Sequence, residues 1–286
     1  MDQVFRTRFA PSPTGYLHIG HAYSALTAYE AAIKADGQML LRIEDIDTGR
    51  SRPEFEAAIT EDLDWLGIAW SGNIRRQSEH FDDYKHTLDK LDELGLLYPC
   101  FCTRKEIALE VENSANAPHG PEGYLYPGIC KSLNRSEIAS LNECGKPFAL
   151  RFNLERAVKF IKAKDEWPLR WFDMEEREFT AEPELLGDVV LARKDTPTSY
   201  HLAVVHDDHA QAITHVIRGQ DLVHSTHIHR LLQAILGYDP PHYHHHKLIT
   251  DKVGEKLAKS HNARTIRSYR EKGARPGELR KMLGFI

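Results

Sequence analysis

The sequence lacks an apolar run of the roughly 20 residues that a helix needs to span a bilayer. Its start, Met1-Asp2-Gln3, lacks the layout of an export signal, and four cysteines are few for a chain of 286 residues. The net charge of −5 excludes a polycation that holds nucleic acid by charge alone. These absences predict a cytoplasmic protein with no membrane segment, in which the cysteines are thiols or metal ligands rather than disulfides.

Internal repeats, low-complexity tracts and a flexible interdomain linker are also absent. Hydrophobic residues make up 41% of the chain and charged residues 28%, which are the proportions of an ordinary globular protein. The length suits one large domain or two smaller ones. We therefore expect a folded chain with a substantial core.

The most distinctive stretch is residues 6–21. Its apolar start predicts a buried strand that ends at Pro11, followed by a Pro/Gly turn and a helix that begins at His18. Free N–H groups and the dipole at a helix start favour an anion such as phosphate. His18 and His21 lie one helical turn apart and are expected to face the same bound group. The alternative is a plain strand-to-helix connection with two surface histidines.

Hydrophobic patterning predicts α/β structure at both ends of the chain and an insertion of different architecture between them. Predicted helices cover residues 19–35, 53–65, 84–97, 226–236, 265–272 and 277–283, and predicted strands cover 38–44, 148–152, 157–161, 201–206, 213–217 and 247–250, with further β structure in 170–179 and 185–193. Arg42, Glu44, Asp45 and Asp47 cluster at the carboxyl end of a predicted strand, where open α/β sheets hold their ligands.

Two separated motifs resemble the ATP-binding signatures of class I aminoacyl-tRNA synthetases. His18-Ile-Gly-His21 resembles the first signature, and Lys256-Leu-Ala-Lys259-Ser260 resembles the second, with Ala258 in place of the family's middle serine. Within that class, the glutamyl branch is indicated by the segments Phe9-Ala-Pro-Ser-Pro-Thr-Gly, Arg42-Ile-Glu-Asp and Ala203-Val-Val and by Arg218-Gly. The resemblance covers most of residues 5–260.

The resemblance implies an α/β fold with a class I Rossmann-like parallel sheet, an inserted zinc-containing α+β subdomain and a short C-terminal helical segment. The catalytic domain would be split over residues 1–98 and 193–260. The inserted subdomain, which would bind zinc and contact tRNA, would cover residues 99–192, and C-terminal helices would cover 261–286. The anticodon-binding domain of full-length relatives is expected to be missing.

For ATP, the resemblance implies that His18, Gly20, His21, Lys256 and Lys259 contact the nucleotide, which would bind with Mg²⁺. His18, His21 and Lys259 would be catalytic. Activation is an in-line attack of a carboxylate on the α-phosphorus, so catalysis consists mostly of positioning and charge neutralisation. The alternative for the two lysines is a solvated surface.

For glutamate, the resemblance implies a pocket of Arg8, Ser12, Glu44, Tyr200 and Arg218. Two carboxylates and one ammonium call for about two cations and one anion, and an arginine can pair bidentately with each carboxylate. Alternatives are a structural salt bridge between Arg8 and Glu44, and simple packing of Tyr200 at the start of a strand.

The cysteines suggest a structural zinc site, because thiolates suit tetrahedral Zn²⁺. The family pattern maps onto Cys100, Cys102, Tyr126 and Cys130 as ligands of one Zn²⁺. Tyr124, His119 and Cys144 compete for the fourth place, and reduced, buried cysteines are the alternative. The histidines at 242 and 244–246 are expected to lie in a solvated loop.

The resemblance is closest to truncated relatives of glutamyl-tRNA synthetase, the glutamyl-Q tRNA(Asp) synthetases. It implies a monomeric enzyme that activates glutamate with ATP without tRNA and then esterifies queuosine in the anticodon of tRNA(Asp). Basic residues near the C-terminus would contact the tRNA, namely Arg264, Arg267, Arg270, Lys272, Arg275, Arg280 and Lys281. Two alternatives stay open: a minimal glutamyl- or glutaminyl-tRNA synthetase that charges a 3′ end, and an inactive or regulatory tRNA-binding module.

Overall fold

The structure is a computed structural model that describes residues 4–113, 119–121, 123–249 and 265–285. Its helices are α1 (Ile19–Lys34), α2 (Pro53–Trp65), α3 (Phe81–Glu93), α4 (Arg104–Asn113), α5 (Arg135–Glu143), α6 (Leu154–Lys162), α7 (Tyr200–Ala210), α8 (Ser225–Leu236), α9 (Ile266–Glu271) and α10 (Pro276–Met282). Its strands are β1 (Arg6–Phe9), β2 (Gln38–Ile43), β3 (Arg75–Arg76), β4 (Leu97–Cys100), β5 (His119–Gly120), β6 (Gly123–Tyr124), β7 (Ala149–Phe152), β8 (Arg170–Phe172), β9 (Glu178–Thr180), β10 (Val190–Ala192), β11 (His215–Gly219) and β12 (His242–His246).

The parallel strands of the catalytic part meet at β1. Strands β1, β2 and β3 pair in parallel, as do β11 and β12. The carbonyl of Phe5 accepts from the N–H of Gln38, while the carbonyl of Arg6 accepts from the N–H of Thr214. Successive carbonyls of an extended chain point to opposite edges, so β2 and β11 flank β1 on its two sides. The predicted α/β class with a parallel sheet is confirmed.

Helix α1 packs closely on these strands because its buried face is made of small residues. Ala22, Ala25 and Leu26 are fully buried, and they belong to one hydrophobic cluster with Leu41 and Ile43 of β2. Alanine also has the highest helix propensity, so local preference and packing agree. The start of α1 is thereby held at the carboxyl ends of β1 and β2.

The insertion has antiparallel strands, unlike the catalytic part. Strand β7 pairs in antiparallel fashion with both β4 and β10, and β8 and β9 form a separate hairpin. A small cluster of buried side chains, Cys100, Phe101 and Cys130, lies beyond β4. The predicted strand at 148–152 is confirmed as β7.

Two predicted strands are helices in the structure. Residues 157–161 lie in α6, where Leu154, Ala157, Val158 and Ile161 are buried with the 3–4 spacing of a helix face. Residues 201–206 lie in α7, where Leu202 to Val205 are all buried. A short apolar run with no polar face does not distinguish a strand from a buried helix, and here tertiary packing decided for the helix.

Two further boundaries were wrong. The helix predicted for 84–97 is α3, which ends at Glu93, and residue 97 already begins β4. The last strand lies at His242–His246 rather than at 247–250, so the histidines expected in a solvated loop form β12. Tyr243 and His246 are buried there; they lie three residues apart and so on opposite faces of the strand, which shows that β12, paired with β11, is covered on both sides.

Of the helices in the described part, none combines the length and the apolar character needed to cross a membrane.

Candidate active site and cysteine cluster

A cleft of about 360 Å³ opens at the carboxyl ends of β1, β2 and β11. It brings together residues that are far apart in sequence and that were predicted to bind glutamate or ATP: Arg8, Ser12, His21, Glu44, Tyr200 and Arg218. Arg8 lies on β1, Glu44 follows β2, Arg218 lies on β11, and Tyr200 is the first residue of α7. The predicted glutamate pocket is therefore spatially one site.

His18 and His21 cap the first helix with their own rings. Nδ1 of His18 accepts from the N–H of Gly20 at 3.0 Å, and Nδ1 of His21 accepts from the N–H of His18 at 3.2 Å. The two rings stack with their centroids 3.8 Å apart. A ring nitrogen that accepts carries no proton, so the proton of each neutral ring lies on Nε2.

Both histidines are uncharged at neutral pH. Burial lowers the pKa of His18, and burial together with the neighbouring His18 lowers the pKa of His21 to about 3. Each ring can thus donate one hydrogen bond from Nε2 while its Nδ1 holds the turn. The arrangement offers neutral donors beside the positive end of the helix dipole.

Arg8 is held by a residue that the sequence analysis missed. Oδ1 of Asp208, on α7, accepts from Nε of Arg8 at 3.0 Å and from Nη2 of Arg42 at 2.6 Å. All three side chains are at least nine-tenths buried, and the two cations keep the pKa of Asp208 below its usual range despite the opposing effect of burial. The alternative of an Arg8–Glu44 salt bridge was wrong, because the described ion pair of Arg8 is with Asp208.

Glu44 lies in the cleft as an incompletely neutralised carboxyl group. Its Oε1 is 3.7 Å from Nε of Arg42. Burial raises the pKa of Glu44 to about 7, and the attraction of Arg42 and Arg8 offsets only part of that effect. A ligand cation placed beside this carboxylate would supply the missing charge.

Arg218 is a buried cation surrounded by neutral groups. Its Nη2 donates to Oγ1 of Thr226 at 2.7 Å, and its other nitrogens lie 3.3–3.4 Å from the Tyr200 hydroxyl and from ring nitrogens of His229 and His245. Within the described residues it forms no ion pair with a carboxylate. A buried charge is costly unless it is paired, so Arg218 is suited to receive an anionic ligand group.

The imidazoles around Arg218 remain neutral. Burial, followed by the charge of Arg218, lowers the pKa of His201 to about 4 and of His245 to about 3, and lowers that of His229 well below its ordinary value. They therefore orient the guanidinium without cancelling its charge.

Three thiols form a metal-binding arrangement in the insertion. The Sγ atoms of Cys100, Cys102 and Cys130 lie within 4.8 Å of one another. The hydroxyl of Tyr126 is 3.4 Å from Sγ of Cys100 and 3.6 Å from Sγ of Cys102, and it also accepts from the N–H of Cys130. Three soft ligands and one oxygen at these separations fit a tetrahedral Zn²⁺ site.

The other candidates for the fourth ligand are placed differently. Tyr124 lies on β6 and is 62% exposed, and Cys144 is exposed at the end of α5. His119 lies in β5, and its side chain is outside the described part. Of the described side chains, Tyr126 is the oxygen donor at the cluster.

Lys256 and Lys259 lie outside the described residues. The chain that follows them returns to the first signature: Thr265 forms a β-bridge with His18, and the N–H of Ile266 donates to the carbonyl of Leu17. The second signature is thus followed directly by a segment anchored at the start of α1.

Three of the C-terminal arginines already have partners within the chain. Arg267 pairs with Glu271 at 2.8 Å, Arg270 pairs with Glu61 at 2.8 Å, and Arg280 pairs with Glu30. The pairs of Arg270 and Arg280 connect α9 and α10 to α2 and α1, whereas the pair of Arg267 lies within α9.

The chain matches the family described as tRNA synthetases class I (E and Q), catalytic domain, over residues 4–285, and it belongs to that family. It is accordingly a ligase that forms a carbon–oxygen bond.

Three individual relatives differ in how much of their own length the chain covers. The chain is 44% identical over 287 residues to glutamyl-Q tRNA(Asp) synthetase of Rhodobacter capsulatus, covering 98% of this chain and 99% of that protein. It is 40% identical over 276 residues to glutamate–tRNA ligase of Aquifex aeolicus, covering 96% of this chain but 55% of the ligase. The crystal structure of glutamate-tRNA synthetase from Elizabethkingia anophelis superposes with a TM-score of 0.79 at 30% identity, over 98% of this chain and 61% of that one.

Proposed function

We propose that this enzyme activates glutamate with ATP in the absence of tRNA and then transfers the glutamyl group to queuosine in the anticodon of tRNA(Asp). The observation that carries the first step is the buried charge of Arg218, which has no carboxylate partner among the described residues, in a cleft that also holds Arg8 and Glu44. The second step is supported by the end-to-end match to the relative named glutamyl-Q tRNA(Asp) synthetase.

Charge counting favours glutamate as the substrate. Among the described residues at the cleft, Asp208 and Glu44 offset two of the three positive charges of Arg8, Arg42 and Arg218, so one positive charge is uncompensated. Glutamate carries a net charge of minus one, and its binding leaves the pocket neutral, whereas glutamine has no net charge and would leave that positive charge uncompensated. In this assignment Glu44 holds the ammonium group, and Ser12 and Tyr200 donate hydrogen bonds.

The first signature supplies the donors for ATP. In this assignment the Nε2–H groups of His18 and His21 donate to the phosphates, with Lys256 and Lys259 as cationic partners, while the N–H of Gly20 holds Nδ1 of His18. Mg²⁺ bound to ATP neutralises further phosphate charge. An oxygen of the glutamate α-carboxylate attacks the α-phosphorus in line, the bond to the bridging oxygen breaks, and pyrophosphate leaves.

In the transfer step a queuosine hydroxyl attacks the carbonyl carbon of glutamyl adenylate. The carbon–oxygen bond to AMP breaks, the hydroxyl proton passes to the phosphate of AMP or to solvent, AMP leaves, and an ester forms. The uncharged rings of His18 and His21 can donate hydrogen bonds to the phosphate of the leaving AMP.

A labelled-glutamate assay tests the proposal. Purified enzyme, ATP and labelled glutamate are incubated with tRNA(Asp) that carries or lacks queuosine, and with queuosine-containing tRNA whose 3′-terminal adenosine has been removed. We expect label on both queuosine-containing samples and on no other. Label that requires the 3′ adenosine would identify a glutamyl-tRNA synthetase that charges 3′ ends. Failure of glutamate-dependent pyrophosphate exchange without tRNA would identify an inactive binding module.

We also propose that Cys100, Cys102, Tyr126 and Cys130 hold one structural Zn²⁺, supported by the clustering of the thiols and the tyrosine hydroxyl.

The contrast between parallel strands in the catalytic part and antiparallel strands β4, β7 and β10 supports a catalytic domain of residues 1–98 and 193–260 with residues 99–192 inserted.

A further inference from the structure

A group of planar side chains lies at the edge of the catalytic cleft. Tyr16 lines the cleft next to the signature turn and remains partly exposed. The ring of Phe55, on α2, meets the Tyr16 ring edge-on with centroids 5.0 Å apart. The guanidinium of Arg267, on α9, lies 5.2 Å from the centre of the Tyr16 ring, and its Nη1 donates to the Tyr16 hydroxyl at 3.1 Å.

Arg52 is the residue immediately before α2, the helix that carries Phe55, and it brings a positive charge. Its N–H donates to the carbonyl of Pro13, which fixes the start of α2 to the signature turn. Within the described part of the chain, its exposed guanidinium bonds only to the carbonyls of Gly49 and Ser51 and pairs with no carboxylate. We call Tyr16, Arg52, Phe55 and Arg267 the rim cluster.

The rim cluster has no assigned role in the proposed activation step. Phosphate contacts are provided by the histidines, and the charges of glutamate are matched by Arg8, Glu44 and Arg218. Arg267 has its own carboxylate partner, Glu271, so the cluster carries about one net positive charge, that of Arg52. Aromatic rings and guanidinium planes beside an unpaired cation form the surface on which unstacked bases of single-stranded RNA bind.

We propose that the rim cluster binds an unpaired RNA base adjacent to the nucleotide that accepts the glutamyl group, with Tyr16 stacking on the base and Arg52 contacting a phosphate. The inference rests on the proposed function, since it takes an anticodon loop as the acceptor. A nucleotide that reaches into the cleft must bring its neighbours to the rim, and loop bases that are not paired are free to leave their stack.

Substitutions at the rim separate this role from folding. Tyr16→Ala removes the ring, whereas Tyr16→Phe keeps the ring and loses only the hydroxyl contact to Arg267. Arg52→Ala removes the charge, and Lys90→Ala on the distant helix α3 is the matched control for loss of one exposed cation. Pyrophosphate exchange with glutamate and ATP, without RNA, measures whether the activating site is intact.

We expect Tyr16→Ala to raise the half-saturating concentration of queuosine-containing tRNA(Asp) about tenfold, as for loss of one base stack. Tyr16→Phe should stay near the wild type. Arg52→Ala should reduce the slope of the logarithm of tRNA affinity against the logarithm of salt concentration by about 0.7, the value for one phosphate contact of a single strand. Lys90→Ala should leave that slope unchanged, and all four variants should keep normal pyrophosphate exchange.

A rise in the KM for ATP in Tyr16→Ala would overturn the inference and assign the ring to adenine. Unchanged tRNA saturation in Tyr16→Ala, or binding of a perfect RNA duplex as tight as that of the anticodon stem-loop, would also overturn it. If the wild-type enzyme itself fails to label queuosine-containing tRNA(Asp), the proposed function fails instead. The two failures are therefore distinguishable.

Discussion

At the scale of single residues, the proposed glutamate pocket rests on a buried carboxylate that holds one of its arginines. One oxygen of Asp208 accepts hydrogen bonds from both Arg8 and Arg42. Asp208 thereby orients the Arg8 guanidinium and offsets its positive charge. The adjacent Asp207 accepts from Arg75 and from the Tyr84 hydroxyl and lies 4.0 Å from Nε of Arg42, but among the described ion pairs it has none with Arg8.

We expect Asp208→Asn to raise the KM for glutamate at least tenfold while the KM for ATP stays near the wild-type value, because Arg8 loses the carboxylate that orients its guanidinium. The measurement is pyrophosphate exchange at varied glutamate. Asp207→Asn is the matched control: it breaks a buried pair and should lower the free energy of unfolding by about 3 kcal/mol without a selective change in the KM for glutamate. Equal effects of both substitutions on that KM would contradict the positioning role.

The raised pKa of Glu44 predicts a pH dependence of glutamate binding. A carboxyl group whose pKa is raised is protonated early on acidification, and protonated Glu44 cannot pair with the substrate ammonium. Below about pH 7 we therefore expect the KM for glutamate to rise by up to about tenfold per pH unit. His21, His201 and His245 have pKa values of about 3 to 4 and do not titrate in this range. A flat profile between pH 5 and 8 would refute the assignment of Glu44 to the ammonium.

The same shift makes a prediction about stability. The folded state holds the Glu44 proton more tightly than the unfolded chain does, so stability falls as the pH rises from the ordinary glutamate pKa toward about 7. Denaturant unfolding of Glu44→Gln should lack this contribution, because glutamine does not titrate.

At the scale of elements, the contact between β1 and the turn before β2 is tight. A Cβ added at Gly37 would lie 2.4 Å from the carbonyl oxygen of Phe5, the acceptor of the first hydrogen bond between β1 and β2. Gly37→Ala should therefore lower the free energy of unfolding by about 1–3 kcal/mol, as measured by denaturant titration. Gly277→Ala, on α10 and with nothing within 4 Å, is the control and should be neutral or slightly stabilising. A loss of stability as large in the control would contradict the explanation.

The elements also show where sequence reasoning succeeds. The motif resemblance selected five residues without needing the correct secondary structure. All five line one cleft: Arg8, Ser12, Glu44, Tyr200 and Arg218. The sequence predicts a strand over residues 201–206, and that prediction does not place Asp207 and Asp208 on the buried side of a helix. For this reason the role of Asp208 was not predicted. A uniformly apolar run carries no period, and only its partners in the fold decide its conformation.

At the scale of the whole molecule, the proposed zinc site would stabilise a part of the insertion whose own buried cluster consists of Cys100, Phe101 and Cys130 among the described residues. Cys130→Ser should lower the zinc content from one ion toward zero and reduce the melting temperature, because the ligands hold β4 to the segment around Cys130. Cys144→Ser, whose thiol is exposed and outside the cluster, should change neither quantity. Metal analysis and thermal unfolding measure both. Full zinc content in Cys130→Ser would contradict the proposed ligand set.

The position of β1 between β2 and β11 has a consequence for biosynthesis. Arg6 and Thr214, which hydrogen-bond across this junction, are 208 residues apart. At roughly 5–20 residues per second, one edge of β1 waits about 10 to 40 s for its partner strand to be synthesised. Arg8 lies on β1 and Arg218 on the late strand β11. The substrate pocket is therefore among the last parts of the nascent chain to assemble, and β1 is an exposed strand edge open to aggregation until then.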